Sequence, residues 1–598
     1  MANITFTFED SRISPVCVSS HAGERLLDIA RAAEVAIDAP CNGNGTCRKC
    51  KVSIDGKIVL ACETVVPADD LTVLVPATAG AFKTDIRTAD LSDPRELAIF
   101  EKTLSDLAEF PAGKLFTTEL VTLEQPNLDD PTNDLERLLT AVNAEHIALS
   151  AIRQLPKALR SDGELALLRT KNTVLNIGSP VPEPLGIALD IGTTTVVMLL
   201  ANLNTGEILS KASAGNAQIR YGADVIHRIV EAERPGGLDK LNNAIIEETI
   251  KPLMRKLYAE AGVSGEQVYR FVVSGNTTMN HLFLKIAPDF IRLEPYTPAF
   301  NRLGALNASD LGLDVHAHCK LIAAPNVGSY VGGDITAGTL TSLLWKRSSG
   351  NVLFADLGTN GELVFGNGEF MFTCACSAGP ALEGGDMSCG MRATDGAIDE
   401  VTIDAETLEP AFSVIGGGEA KGLCGSGIID AIAELFRVGA IDGKGKFVKS
   451  GSRITETDGI MSYTLSPGVE ITEVDIDNFI RTKAAIFSAI RTMLNAVGFT
   501  VGDIDEVLIA GGIGSAINFD NAVRVGMFPA IALDKYRYVG NSSLSGAYAM
   551  LLSNEAARKV DELARSMTYI ELSTDPGYME EFVAACFLPH TDAGLFCG

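Results

Sequence analysis

Four cysteines near the start of the chain are spaced for metal chemistry: Cys41, Cys47, Cys50 and Cys62 follow C-x5-C-x2-C-x11-C. The first three lie in Cys41-Asn42-Gly43-Asn44-Gly45-Thr46-Cys47-Arg48-Lys49-Cys50. Small residues there let the backbone wrap closely around a cluster and turn its N–H groups toward sulfur. Four converging thiolates of this kind fit a two-iron, two-sulfur cluster. Tetrahedral zinc is the competing reading, but zinc ribbons pair two short hooks, and here Cys47 to Cys50 makes only one.

Two later segments share a different chemistry. Ile187-Ala188-Leu189-Asp190-Ile191-Gly192-Thr193-Thr194-Thr195 and Leu353-Phe354-Ala355-Asp356-Leu357-Gly358-Thr359-Asn360-Gly361 each pass from an apolar strand through Asp-x-Gly-Thr into a second strand, about 166 residues apart. Hydroxyls and backbone N–H groups of such a hairpin donate to phosphate, and the carboxylate can hold Mg²⁺ through water. Two copies, each opening one half of a duplicated α/β unit, clamp a triphosphate between lobes, and phosphoryl transfer is mainly a matter of positioning. Asp190 and Asp356 are thus candidates for organising Mg²⁺ and the attacking water, either one serving as the base. Gly192, Thr193, Thr194, Gly358, Thr359, Asn360 and Gly361 are the candidate phosphate contacts, with Asp334, Glu362 and Glu383 as alternatives for the water. A third run, Val507-Leu508-Ile509-Ala510-Gly511-Gly512-Ile513-Gly514, is a buried strand entering a turn where Gly511, Gly512 and Gly514 let a base or ribose approach the backbone. No GxxxxGK(S/T) run occurs, so a P-loop is not supported.

These residues need several separate scaffolds. A chain of 598 residues, 46% hydrophobic and 21% charged, is too long for one core and ordinary for packed globular protein. Strands at Ile4 to Phe8, Pro15 to Ser19, Lys51 to Ile54 and Leu71 to Val75, with a helix at Arg25 to Ala33, make a small sheet around the cysteine loop. Residues 1–78 form this domain, 79–96 a linker, 97–183 a small middle domain, and 184–345 and 346–598 the two halves carrying the hairpins. A net charge of -27 repels phosphate backbones and anionic lipid, which speaks against nucleic acid and membrane partners. The start lacks a basic, apolar leader and no stretch is long enough to span a bilayer, so the expected location is cytoplasmic, where twelve cysteines remain thiols.

The cysteine loop resembles plant-type and adrenodoxin-type ferredoxins, although their last ligand lies farther downstream than Cys62. The three glycine-bearing motifs resemble the phosphate 1, phosphate 2 and adenosine elements of the actin, sugar kinase and Hsp70 (ASKHA) superfamily. Gly328 to Gly338 and Gly540 to Ala547 resemble its small-residue connecting helices. The combination resembles the reductive activators of corrinoid proteins. Ser274-Gly275-Asn276-Thr277-Thr278-Met279-Asn280-His281, Ser377 to Gly385, Gly422 to Asp430 and Phe587 to Asp592 carry that resemblance. It implies an α/β multidomain chain with a β-grasp ferredoxin-like domain, a small middle domain and a duplicated actin-like ATPase. It further implies a 2Fe-2S cluster, ATP and Mg²⁺ as cofactors. The implied partners are a corrinoid protein, reduced from cob(II)amide to cob(I)amide, and an unidentified low-potential electron donor. A small-molecule kinase or a chaperone-like module with a regulatory cluster is the alternative.

The remaining cysteines and histidines have plainer readings. Cys374 and Cys376, with Cys389 and Cys424, form either a second redox site or buried apolar fillers. Cys586 and Cys597 cannot hold a cluster within one chain, which leaves surface thiols or a role across a homodimer. His281 and His227 read as structural imidazoles, with a contact to the partner's corrinoid as the sharper alternative for His281.

Overall fold

The computed structural model describes the chain except residues 1, 10–13, 34, 36, 38, 40–42, 44, 46–49, 77–90, 92–93, 114, 161–163, 179–180, 182, 386, 458, 513–515 and 597–598. Strand β1 (Ala2–Phe8) buries Ala2, Ile4 and Phe6 on one face, the period of a half-buried strand. It pairs with β2 (Val16–Ser20) and β5 (Leu71–Val75), and β3 (Lys51–Ile54) and β4 (Lys57–Leu60) complete the sheet, in the order β2-β1-β5-β3-β4. Helix α1 (Leu26–Ala32) lays Leu26, Leu27 and Ala30 into the same core as Cys50 and Cys62. This is the ferredoxin-like domain.

A four-stranded sheet between residues 117 and 177 packs on two helices around Leu138, Leu155, Leu167 and Val174. Helix α2 (Pro94–Asp106) does not join that core. Its stripe of Leu97, Phe100 and Leu104, with Leu107 just beyond its end, packs with the helices and strands of the large C-terminal unit instead, although its position in the chain groups it with the middle segment.

The C-terminal unit is a duplication with matching register. In its first lobe β6 (Leu185–Ile191) pairs antiparallel with β7 (Thr195–Asn202) and parallel with β8 (Val268–Gly275). In the second, β9 (Val352–Leu357) pairs antiparallel with β10 (Gly361–Gly366) and parallel with β11 (Glu506–Gly511). Asp190 lies opposite Ser274 and Asp356 opposite Ala510, each one step before the glycine that ends the parallel strand. Helix α3 (Val225–Ala232) covers part of the first lobe. The lobes join through α4 (Gly333–Ser342) and α7 (Ser542–Leu552), which cross so closely that a Cβ on Gly338 would sit 2.7 Å from Ser542 Oγ and one on Gly546 2.2 Å from the Ala337 carbonyl. Only glycine permits that crossing. Helices α5 (Gly425–Arg437) and α6 (Glu473–Ala496) fill the second lobe's core. Among the described residues, no helix is long and apolar enough to cross a membrane.

Candidate functional site

Both Asp-x-Gly-Thr turns face one cleft. Each closes on itself, Gly192 N–H donating to the Thr195 carbonyl and Gly358 N–H to the Asn360 carbonyl, both at 2.9 Å. Their tips touch: Thr194 Oγ1 and Thr359 Oγ1 are 2.7 Å apart and hydrogen-bonded, and Thr359 also donates to Glu383. Asp190, Asp356, Gly192, Thr193, Gly358, Thr359 and Asn360 line the cleft with Gly511 and Gly512, so most of the residues singled out by sequence converge. Gly361 stands behind the second turn, where a Cβ would press 2.7 Å from Cys376 Sγ. Gly514 lies outside the described residues. The cleft encloses ≈ 160 Å³, less than the roughly 300–1,000 Å³ of pockets that hold cofactor-sized ligands.

The cleft is rich in carboxyl groups. Asp190 receives Asn541 Nδ2 at 2.9 Å and Ser543 Oγ at 2.7 Å, one on each oxygen, from the N-terminal end of α7. Asp356 has a long contact from Ser542 Oγ at 3.4 Å. Burial raises the Asp190 carboxyl above its ordinary value, opposed by those two bonds. Burial and then the charges of Asp334 and Asp190 push Asp356 up to about 8. Asp334, on the first turn of α4, is pushed up to about 7 by burial and then by Asp190. Glu362 rises well above its usual range, first through burial and then through Asp334. Such crowding is relieved by a cation, and a hard divalent ion bound through water and phosphate oxygens suits it, since one or two carboxylates suffice for Mg²⁺. No group of three or more His, Cys, Asp or Glu side chains among the described residues is arranged to bind a metal directly.

Several cleft residues escaped the sequence reading. Arg392 is the one basic side chain lining the cleft among the described residues, and its Nη2 donates to the Thr194 carbonyl at 2.9 Å, from the second lobe to the first. Arg228 on α3 is fully buried beneath the first turn and donates to the carbonyls of Thr193 and Gly222 at 2.5 and 2.9 Å. Burial pulls its pKa down to about 9. Asn276 Nδ2 donates to Thr193 Oγ1 at 3.0 Å. Asn276 sits in a run quoted above for its family likeness, but nothing in its spacing shows that it braces a loop 83 residues earlier.

Of the four clustered cysteines, Cys41 and Cys47 lie outside the described residues. Cys50 and Cys62 are buried and adjacent, Cys62 N–H lying 3.5 Å from Cys50 Sγ. Gly43 has φ 86° and a Cβ on it would come within 3.7 Å of Cys62 Cβ, so the backbone at Gly43 runs close to the last cysteine. Backbone N–H aimed at a thiolate and glycine at the point of close approach are what an iron-sulfur site demands, and the described half fits the group.

The other candidates have the surroundings of structural residues. Cys374 and Cys376 sit in the core of the second lobe, Cys374 against Met493, with both thiols raised by burial. Cys389 donates to the Glu470 carbonyl at 2.8 Å and Cys424 to that of Ile398 at 3.3 Å. His281 is buried between the Thr277 carbonyl at 2.7 Å and Ala299 N–H at 3.1 Å, stacked on Phe300. His227 pairs with Asp224 at the start of α3.

A ferredoxin-like cysteine domain on a two-lobed ASKHA unit defines an iron-sulfur ATPase of the actin-like class. Four family models match successive parts of the chain. The family model of the 2Fe-2S iron-sulfur cluster binding domain matches residues 10–73, that of the RACo linker region 107–177, that of the RACo middle region 185–347, and that of the C-terminal, ASKHA domain of RACo 350–597. The chain is 31% identical over 587 residues to the corrinoid activation enzyme RamQ of Eubacterium limosum, covering 93% of this chain and 95% of that one. It is 29% identical over 419 residues to the Co(II) methylated amine-specific corrinoid protein reductase of Methanosarcina barkeri, covering 64% of this chain and 73% of that one. A solved structure of a reductive activator for corrinoid, iron-sulfur protein superposes with a TM-score of 0.75 at 36% identity, covering 100% of both chains. The chain belongs to the family of reductive activators of corrinoid proteins.

Proposed function

We propose that this protein reactivates a corrinoid protein, using ATP hydrolysis to help deliver one electron from its 2Fe-2S cluster to cob(II)amide on the partner, which becomes cob(I)amide. The observation that supports this most is the union, in one chain, of a ferredoxin-like cysteine domain with two Asp-x-Gly-Thr turns that meet across a cleft. The names of the relatives supply the corrinoid partner.

Cys41, Cys47, Cys50 and Cys62 hold the cluster, which supplies a one-electron carrier. Thr193, Thr194, Thr359 and the turn N–H groups take the phosphates, and Mg²⁺ fits beside Asp190 and Asp356, where it supplies positive charge. Asp190, tied through both oxygens, orients. Asp356, with its one long hydroxyl contact, accepts the proton of the attacking water once a cation beside it has displaced the proton it keeps in the empty cleft. Need for ATP follows from energetics: each 100 mV of uphill transfer costs one electron about 2.3 kcal/mol, and plant-type clusters sit near about -400 mV. A change of lobe position on nucleotide binding would favour one conformation of the complex with the partner, which is differential binding.

The test is anaerobic EPR of the partner's Co(II) signal after adding this protein, a low-potential reductant and ATP, each omitted in turn. The signal should disappear only when all are present. Equal rate and extent of loss without ATP, at matched donor potential, would remove the coupling.

A further inference from the structure

The nucleoside end of the cleft receives a side chain from outside both lobes. Helix α2 carries Glu96, which is 2% exposed and lines the cleft. Its Oε2 lies 3.5 Å from Tyr538 Oη and 3.5 Å from where a Cβ on Gly540 would stand. Tyr538 Oη donates to the Gly511 carbonyl at 3.1 Å. Gly511 has φ 99°, and a Cβ on it would meet Asp356 Oδ1 at 2.7 Å. Glu96 is thus one side chain removed from the glycine turn, which itself abuts the phosphate-side carboxylate.

The placement is rigid. Phe100, one turn along the same face of α2, meets the Tyr548 ring edge-on at 5.8 Å between centroids, and Leu91 and Leu107 are buried in the same core. From the start of the helix, Arg95 Nη2 reaches to 4.0 Å from Asp399 Oδ2 in the second lobe. The helix therefore lies along the cleft with Glu96 turned into it.

An ionised carboxylate only accepts hydrogen bonds, and it can take two donors side by side. In a nucleotide the sugar follows the phosphates directly, and its vicinal hydroxyls are two such donors. A buried acidic side chain on ribose hydroxyls is a recurring solution to nucleoside recognition. We propose that Glu96 is the residue that recognises the ribose of the bound nucleotide, so that the helix following the iron-sulfur domain in the chain forms part of the nucleotide site. This rests on the reading of the cleft as a nucleotide site.

The experiment measures affinities of the full, cluster-loaded protein for MgATP, 2′-deoxy-ATP, 3′-deoxy-ATP and the analogue of ATP lacking the 6-amino group, in wild type, Glu96→Gln and Glu96→Ala. Wild type should bind at least one deoxy form about tenfold or more weakly than ATP, the size of a hydrogen bond to a charged group. Both variants should bind ATP more weakly and treat ATP and the deoxy forms alike. Because ratios are compared, a partly destabilised variant remains informative. Variants that keep the wild-type ratio overturn the inference, as does a preference lost only for the 6-amino group, which would place Glu96 on the base. If wild type binds no adenine nucleotide at all, the nucleotide reading itself falls and takes this inference with it.

Discussion

Replacing Asp356 with asparagine removes a charge while keeping the shape. Burial, then Asp334 and Asp190, push its carboxyl up to about 8, against about 4 in an unfolded chain. Between those values the folded protein keeps a proton that the unfolded chain has released, so stability falls as pH rises through the window. One proton gives a slope of about 1.4 kcal/mol per pH unit, or about 2.7 kcal/mol from pH 6 to 8. Asp334, pushed up to about 7, adds its own charge to this crowding as it ionises over the same range, so we take about 1–2 kcal/mol of this for Asp356 alone. Asparagine has no proton to lose. The stability gap between Asp356→Asn and wild type should therefore widen in the variant's favour from pH 6 to 8 and stop widening above about 8. For a lobe of about 250 residues that is a change of about 2–4 °C in the melting difference. Scanning calorimetry at pH 6, 7, 8 and 9, without nucleotide and with a chelator present, reads it directly. A gap that stays constant, or narrows as pH rises, refutes the claim that crowding holds protons in this cleft. Since the measurement needs no turnover, the outcome is independent of the catalytic role given to Asp356.

Three further substitutions probe other parts. Cys62→Ser should abolish the visible absorption of the cluster and corrinoid reduction but leave ATP affinity unchanged; a variant that keeps the absorption would show that Cys62 is not a ligand. Arg392→Ala should lower kcat for ATP hydrolysis by about 10²–10³ with little change in KM, the loss seen when one preorganised donor to developing charge is removed. An unchanged kcat would leave Arg392 as a simple bridge to the Thr194 carbonyl. Lys483 on α6 is buried and donates to the carbonyls of Phe587 and Pro589. Lys483→Met strands both acceptors, each costing about 1–3 kcal/mol, so the second lobe should melt lower, and an unaltered melting profile would show that this clamp on the C-terminal segment is not needed.

What the sequence made legible is what is local. Asp-x-Gly-Thr is recognisable because the strand, the turn and the hydroxyls are contiguous, and Gly192 is required there because a Cβ would stand 2.5 Å from the Thr195 carbonyl. The cysteine loop is legible for the same reason. The partners that hold these groups are not. Asn541 reaches Asp190 across 351 residues, and Arg392 reaches the Thr194 carbonyl across 198. Both are ordinary polar residues in their own surroundings. The packing of α2 was hidden too, since an amphipathic stripe shows that a helix needs a partner face without showing which. Cys374 and Cys376, two apart on one strand, share a face, and only the core around them reveals that the face is apolar.

Among the described residues, the polar contacts seen over the cleft are mostly uncharged. Thr194 meets Thr359, Arg392 meets the Thr194 carbonyl, and Asn541 and Ser543 meet Asp190. Each such bond contributes a net of about 0.5–1.5 kcal/mol, so the closed arrangement is favoured by a few kcal/mol at most. That is within reach of a ligand that makes different contacts in the open and closed forms, and moving a two-state equilibrium from 1:99 to 99:1 takes about 5.5 kcal/mol of differential affinity. On the reading proposed above, a triphosphate would supply such a difference by replacing the Thr194 to Thr359 bond with its own oxygens and bringing a cation to carboxyl groups whose proton affinity is raised. The same raised proton affinities that weaken the empty cleft at high pH therefore become binding energy once a cation enters. Each side chain that couples nucleotide to lobe position should accordingly change the affinity for MgATP more than the affinity for ATP without metal.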